Sequence, residues 1–137
     1  MNTGHSGSLT TIHANNVKDA LSRLENMVLT AGESLPYNVI REQIMSAIDL
    51  IIQQVRFADG SRKVISIATV DKTFSENSHL DVRYIYQFEV EGLGQDGAVQ
   101  GRFKECEDFT LNEEMAQKIR MAGISLDALK LTNRDGV

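Results

Sequence analysis

The sequence predicts an α/β chain. Its first half carries an apolar stripe at helical spacing, and two pairs of apolar runs follow, each pair joined by an Asp-Gly turn. A helix-start pattern follows the second pair. Hydrophobic residues make up 42% of 137, enough to bury one small core, so the chain reads as one small domain or a piece of a larger one.

The elements follow in order. Thr10, Thr11 and Ile12 are β-branched and come after a Gly/Ser-rich start, so they read as a short strand ending near His13. Asn16 suits a helix N-cap, and Asp19 puts an acid in the first turn. Val17, Ala20, Leu21, Leu24, Met27, Val28 and Ala31 then form one helical face, which Gly32 is suited to stop. Pro36 fits the first turn of a second helix, whose apolar face is Ile40, Ile44, Ala47 and Ile48. Residues 50–57 and 63–70 read as strands of a hairpin around Asp59-Gly60. Residues 71–81 are polar and read as a loop, with 75–78 the one candidate seam. Val82, Tyr84, Tyr86, Phe88 and Val90 alternate with mostly polar residues, as in a half-buried strand. Asp96-Gly97 turns the chain into a partner strand with Val99, Gly101 and Phe103. Thr110 and Glu113 form a capping-box pattern before a helix reaching about Gly123, with Leu126 and Leu129 in a further short turn. Residues 130–137 are polar and are expected to fray.

Composition excludes several classes. The net charge is −5 with no cluster of Lys and Arg, so no electrostatic footprint for nucleic acid exists. No run of about 18 apolar residues is present, so no transmembrane segment is expected. Residues 1–9 have neither the basic nor the apolar region of a signal peptide. Cys106 is the only cysteine, which rules out an internal disulfide and suits a reducing cytoplasm. Glu105 and Glu107 flank it and disfavour the thiolate.

The chemistry-bearing stretch is Thr3-Gly4-His5-Ser6-Gly7-Ser8-Leu9-Thr10-Thr11-Ile12-His13-Ala14-Asn15. Gly4 and Gly7 let backbone approach a ligand closely. Hydroxyls and imidazoles donate hydrogen bonds to phosphate oxygens. By itself the stretch is a candidate anion or nucleotide contact, and the plainer reading, polar loop and strand residues with satisfied hydrogen bonds, stays open beside it. Zinc held by His5, His13, His79 and Cys106 matches no zinc spacing, so no metal site is expected. A Ser8–His13 nucleophile pair lacks the Gly-x-Ser-x-Gly elbow and an orienting acid.

That stretch resembles the histidine box of the type II/type IV secretion ATPases, most closely the CpaF-like branch that serves Tad/Flp pilus assembly. The likeness continues through Asp19-Ala20-Leu21-Ser22-Arg23-Leu24-Glu25, Ile40-Arg41-Glu42-Gln43-Ile44, Ala47-Ile48-Asp49-Leu50-Ile51-Ile52 and Asp59-Gly60-Ser61-Arg62-Lys63-Val64. It is strong over residues 1–70 and runs on in element order to about residue 124. The resemblance implies the C-terminal part of a RecA-like P-loop ATPase domain, with mixed strands, hairpins and three to four helices. Residues 1–74 would hold the histidine-box strand, two helices and first hairpin, and 75–137 the second hairpin and last helix of the same domain. The parent enzyme would be a homo-hexamer using ATP and Mg²⁺, cytoplasmic and peripheral at the inner membrane, docked on a membrane platform protein. Carried over, His5 and His13 become the catalytic candidates. Ser8 and Thr11 become nucleotide contacts, and Arg23 and Arg41 would touch a phosphate or a neighbouring subunit.

The departures matter equally. No Gly-x-x-x-x-Gly-Lys-Ser/Thr occurs, and no Gly-Lys pair at all. The acidic strand that precedes the family's histidine box is also missing. The chain starts inside the family's pattern, which reads as a truncated product, a misplaced start or a fragment. No cofactor and no ATP hydrolysis are expected of the chain alone. The alternative function is a non-catalytic module that binds the intact ATPase or its platform partner. A third possibility is a degraded gene without function.

Overall fold

A computed structural model describes residues 7–31, 35–72, 80–107, 109 and 111–126. The chain forms two compact units, Met1–Cys106 and Glu107–Val137.

Helix α1 spans Val17–Thr30, where the stripe predicts it. Asn16 is extended, with φ −151°, and its side-chain oxygen accepts the Asp19 backbone N–H at 2.8 Å. Lys18, in the first turn, pairs with Asp81 at 2.8 Å, tying the helix start to the chain just before the third strand. The hydrogen bond between them raises the Lys18 pKa and lowers that of Asp81. Gly32, the expected stop, lies outside the described residues. Helix α2 spans Tyr37–Ala47, and Pro36 sits just before its first residue, with its carbonyl accepting from Val39 and Ile40.

Four strands follow: β1 (Ile51–Arg56), β2 (Arg62–Val70), β3 (Val82–Leu93) and β4 (Val99–Glu105). They lie in chain order β1-β2-β3-β4, and all three pairings are antiparallel. Both Asp-Gly hairpins form as predicted, with Gly60 at φ +83° and Gly97 at φ +78°, where a side chain would be strained. The 71–81 connection is closed by Asp71 N–H donating to the Asp81 carbonyl at 2.9 Å. The expected seam at 75–78 lies outside the described residues. The expected α/β class therefore stands, built from helices and an antiparallel meander.

One expectation fails. Residues 10–13 form no strand, and the segment 7–14 has no regular secondary structure. A strand needs a partner for its backbone groups. A side chain ties the segment to the sheet, Gln53 Nε2 donating to the Ala14 carbonyl at 3.5 Å.

The core lies between the helices and one side of the sheet. Val17 and Leu21 of α1, Ile40 and Ile44 of α2, Ala68 and Val70 of β2, and Val82 of β3 form one buried cluster. The register explains the shared side: Ile51 pairs with Ala68, Ala68 with Tyr84, and Val70 with Val82. Burying each of the larger side chains stabilises by about 1.5–3 kcal/mol.

Each pairing carries one bulge, leaving Ile65, Ile85 and Glu91 unpaired across their ladders. Bulges increase twist. The curled sheet brings the β1–β2 turn onto the hairpin of β3 and β4, two strands away. The Phe57 ring lies 6.3 Å from that of Phe88, and Phe88 meets Phe103 edge-on at 5.6 Å. Asp59 Oδ2 accepts the Val99 N–H at 2.6 Å, while its Oδ1 accepts from the Ser61 backbone and hydroxyl. These bonds, the one from Val99 foremost, hold the Asp59 carboxyl at a pKa of about 2. Gly101 is needed beside this contact, because a methyl there would run into the Glu89 carbonyl and the Phe88 ring.

The second unit contains α3 (Glu113–Met121). Its N-cap is Asn112, whose side-chain oxygen accepts the Met115 N–H at 2.8 Å. This corrects the Thr110–Glu113 capping box: Glu113 is the first helical residue, too early to reach back over a cap, and Thr110 lies outside the described residues. Glu113 and Glu114 sit at the N-terminal end and Lys118 and Arg120 at the C-terminal end, both favourable to the helix dipole. Gly123, at φ +74°, ends the helix as predicted. Leu129 and residues 130–137 lie outside the described residues. Among the described residues, no helix is long and apolar enough to cross a membrane.

Two outcomes are expected. Gly101→Ala lowers the free energy of unfolding in urea by about 1–3 kcal/mol, because strand or ring must shift. Asp59→Ala lowers the melting temperature at pH 7. Since the folded pKa of about 2 lies below the usual 3.8, this stabilisation is complete above the latter and fades as pH falls through the former. Melting curves of both proteins between pH 7 and pH 2 should therefore converge.

Candidate functional site

The segment 7–15 leads straight into α1, and α1 sends one side chain back to it. Arg23 lies on the exposed face about two turns from the N-cap. Its Nη1 donates to the His13 carbonyl at 3.0 Å. The bond folds the guanidinium over the start of the helix and fixes the backbone that carries the His13 imidazole.

The result is an open depression of about 480 Å³ lined by His13, Ala14, Asn15, Asp19 and Arg23. A second one, of about 440 Å³, shares Asp19 and Arg23 and continues along α1 past Ser22, Asn26, Met27 and Thr30. His13, Asn15, Asp19 and Arg23 are all exposed. Arg23 carries five N–H donors, of which the His13 carbonyl takes one. The Asn15 amide and the imidazole add further donors. The arrangement suits an oxyanion approaching from solvent, with Asp19 opposing a large negative charge.

Of the residues singled out from sequence, His13 and Arg23 come together. Ser8 and Thr11 are exposed in the same irregular segment. His5 lies outside the described residues. Arg41 goes elsewhere: it is buried on α2, its Nε 3.3 Å from Glu25 Oε1 and its guanidinium 5.2 Å over the Tyr37 ring. Partial burial, then the charge and hydrogen bond of Glu25, raise the Tyr37 pKa.

Sequence reasoning named Asn15 only as the end of the chemistry-bearing stretch, and Asp19 only as a helix-start acid. It also passed over Glu25. A signal for Glu25 was present, since position 25 falls on the apolar stripe four residues after Leu21. A charge there calls for a buried partner.

The pattern of the type II/IV secretion system protein family matches residues 1–134. A conjugal transfer protein TrbB from Rhizobium radiobacter is 36% identical over 88 residues, covering 64% of this chain and 25% of that protein. A probable conjugal transfer protein TrbB from Sinorhizobium fredii (strain NBRC 101917 / NGR234) is 38% identical over 71 residues, 52% of this chain and 20% of that protein. The chain thus spans about a quarter or less of the curated relatives it matches. The type II/IV secretion family read from the motifs is borne out, and these two relatives are named for conjugal transfer.

Arg23→Ala tests the link between helix and segment. Unfolding free energy should fall by about 1 kcal/mol or less, as for one exposed hydrogen bond. The backbone amides of residues 13–15 should exchange with solvent faster, with those of α1 unchanged, as read by hydrogen-exchange NMR.

Proposed function

We infer that this chain, which belongs to the type II/IV secretion system protein family, is the histidine-bearing part of an ATP-driven motor for secretion or conjugation. One observation carries the reading: His13 and Arg23 meet in a donor-rich depression at the start of α1, within the stretch that resembles the family's histidine box.

ATP with Mg²⁺ would supply the phosphoryl group whose transfer to water drives such a motor. The residues present fit one end of that ligand. Arg23 would offer charge-assisted hydrogen bonds to a phosphate oxygen, and His13 and Asn15 would add neutral donors. Asp19 would hold back a fully charged anion until further cations neutralise it. The chain has no Gly-Lys pair, so the backbone cradle and its lysine would come from another polypeptide segment or a neighbouring subunit. His5, Ser8 and Thr11 belong to this reading as further contacts from the same segment.

The parent assembly is proposed as a cytoplasmic homo-hexamer seated on an inner-membrane platform protein. The motif run favours a CpaF-like, pilus-assembling machine, and the curated relatives favour a conjugal one. Both would be motors working at a cell envelope. The non-catalytic form of the reading has this chain bind intact ATPase subunits without turning over ATP.

Calorimetry with ATP-Mg²⁺ and a phosphate-release assay test this on the purified chain. The expected outcome is no hydrolysis and no tight nucleotide binding, together with co-purification of the chain with an intact family ATPase. A hydrolysis rate from the chain alone, abolished by His13→Ala, would overturn the division of labour. A strictly partnerless chain would count against both forms of the reading.

A further inference from the structure

The buried pair Glu25–Arg41 is unexplained by stability. Glu25 sits on the buried side of α1 with Leu21, and Arg41 lies between Ile40 and Ile44 on α2. They are 7% and 6% exposed. Arg41 Nε and Glu25 Oε1 stand 3.3 Å apart, yet the N–H is not aimed at the oxygen, and both atoms are buried without a hydrogen bond. Burying two charges is expensive, and two well-packed apolar side chains of similar size serve stability as well or better. What an apolar pair lacks is a single permitted register. If α2 slides by one turn, Arg41 leaves Glu25 and two charges are stranded.

Arg23 lies two residues from Glu25, about 200° around the helix. Whatever fixes the rotation of α1 on its buried side therefore fixes where Arg23 points on its exposed side. We propose that Glu25 and Arg41 are a positioning pair: they lock the rotation of α1 against α2 and so aim Arg23 at the His13 carbonyl. The Tyr37 ring backs the guanidinium and keeps it on Glu25. The pair acts through Arg23 and touches no ligand itself. Its role stands whether or not the depression takes a phosphate, so nucleotide assays do not decide it.

The test uses the full chain with two readouts, melting temperature and the NMR amide signals of residues 13–15. Glu25→Ala and Arg41→Ala should each lower the melting temperature by at least about 10 °C, as expected for a stranded buried charge. The joint variant Glu25→Leu with Arg41→Met should melt near the wild-type temperature or above it. Its 13–15 amides should nonetheless shift or multiply and exchange with solvent faster, the exchange effect being the one expected of Arg23→Ala. A joint variant that keeps the wild-type signals would overturn the proposal, leaving only a structural role. So would single variants that melt like the wild type. If the joint variant does not fold, Arg41→Lys decides, because it keeps the charge but not the planar fork. Displaced 13–15 signals in a folded Arg41→Lys protein support the positioning role, and unchanged signals refute it.

Discussion

Everything else in the first unit depends on the burial of α1 and α2 against β2 and the start of β3. Among the described residues, Val17, Leu21, Ile40 and Val70 are the largest side chains removed from water, and they come from α1, α2 and β2. Ala68 lies at the centre with no exposed surface. A larger side chain there would push the helices off the sheet. Arg23 and the N-terminal segment lie on the opposite, solvent side of α1.

The far end of the sheet is held by different physics. Apolar contact there is limited to the three phenylalanine rings and their neighbours, and Phe103 stays 48% exposed. A carboxylate does the closing: Asp59 collects three N–H and O–H donors, one of them from β4, two places beyond β2 in the sheet order. A bulge in every pairing makes this reach geometrically available. Gly101 leaves room for the Phe88 ring to sit over the ladder.

The candidate site is a product of both helix faces. The exposed face holds Arg23 against the His13 carbonyl, in a place where an anion meets donors and one opposing acid. The buried face holds a charge pair among apolar side chains, a poor choice for stability and a good one for geometry. In the proposed reading a single arginine, a histidine and an asparagine would meet one end of a phosphate.

Local order was legible in the sequence because local rules produce it. The helix from Val17, Asn16 as its cap, both Asp-Gly turns and the stop at Gly123 depend on residues only a few positions apart and form as read, although Met27 of the expected apolar face stays exposed. The short strand at 10–13 was misread because a strand is not local: β-branched residues favour it, but a partner must supply the ladder. The cap at Asn112 was missed because the capping-box spacing pointed two residues earlier, to Thr110, whereas the helix begins at Glu113. Only tertiary structure decided the rest. Sequence spacing says nothing of how α2 lies on α1, so it could not place Arg41 in the interior beside Glu25. Nor could it show that Arg23 folds back to His13, or that Asp59 reaches Val99, 40 positions on. Those contacts join residues distant in the chain, and only the packing of a shared core and the curl of the sheet bring them within bonding range.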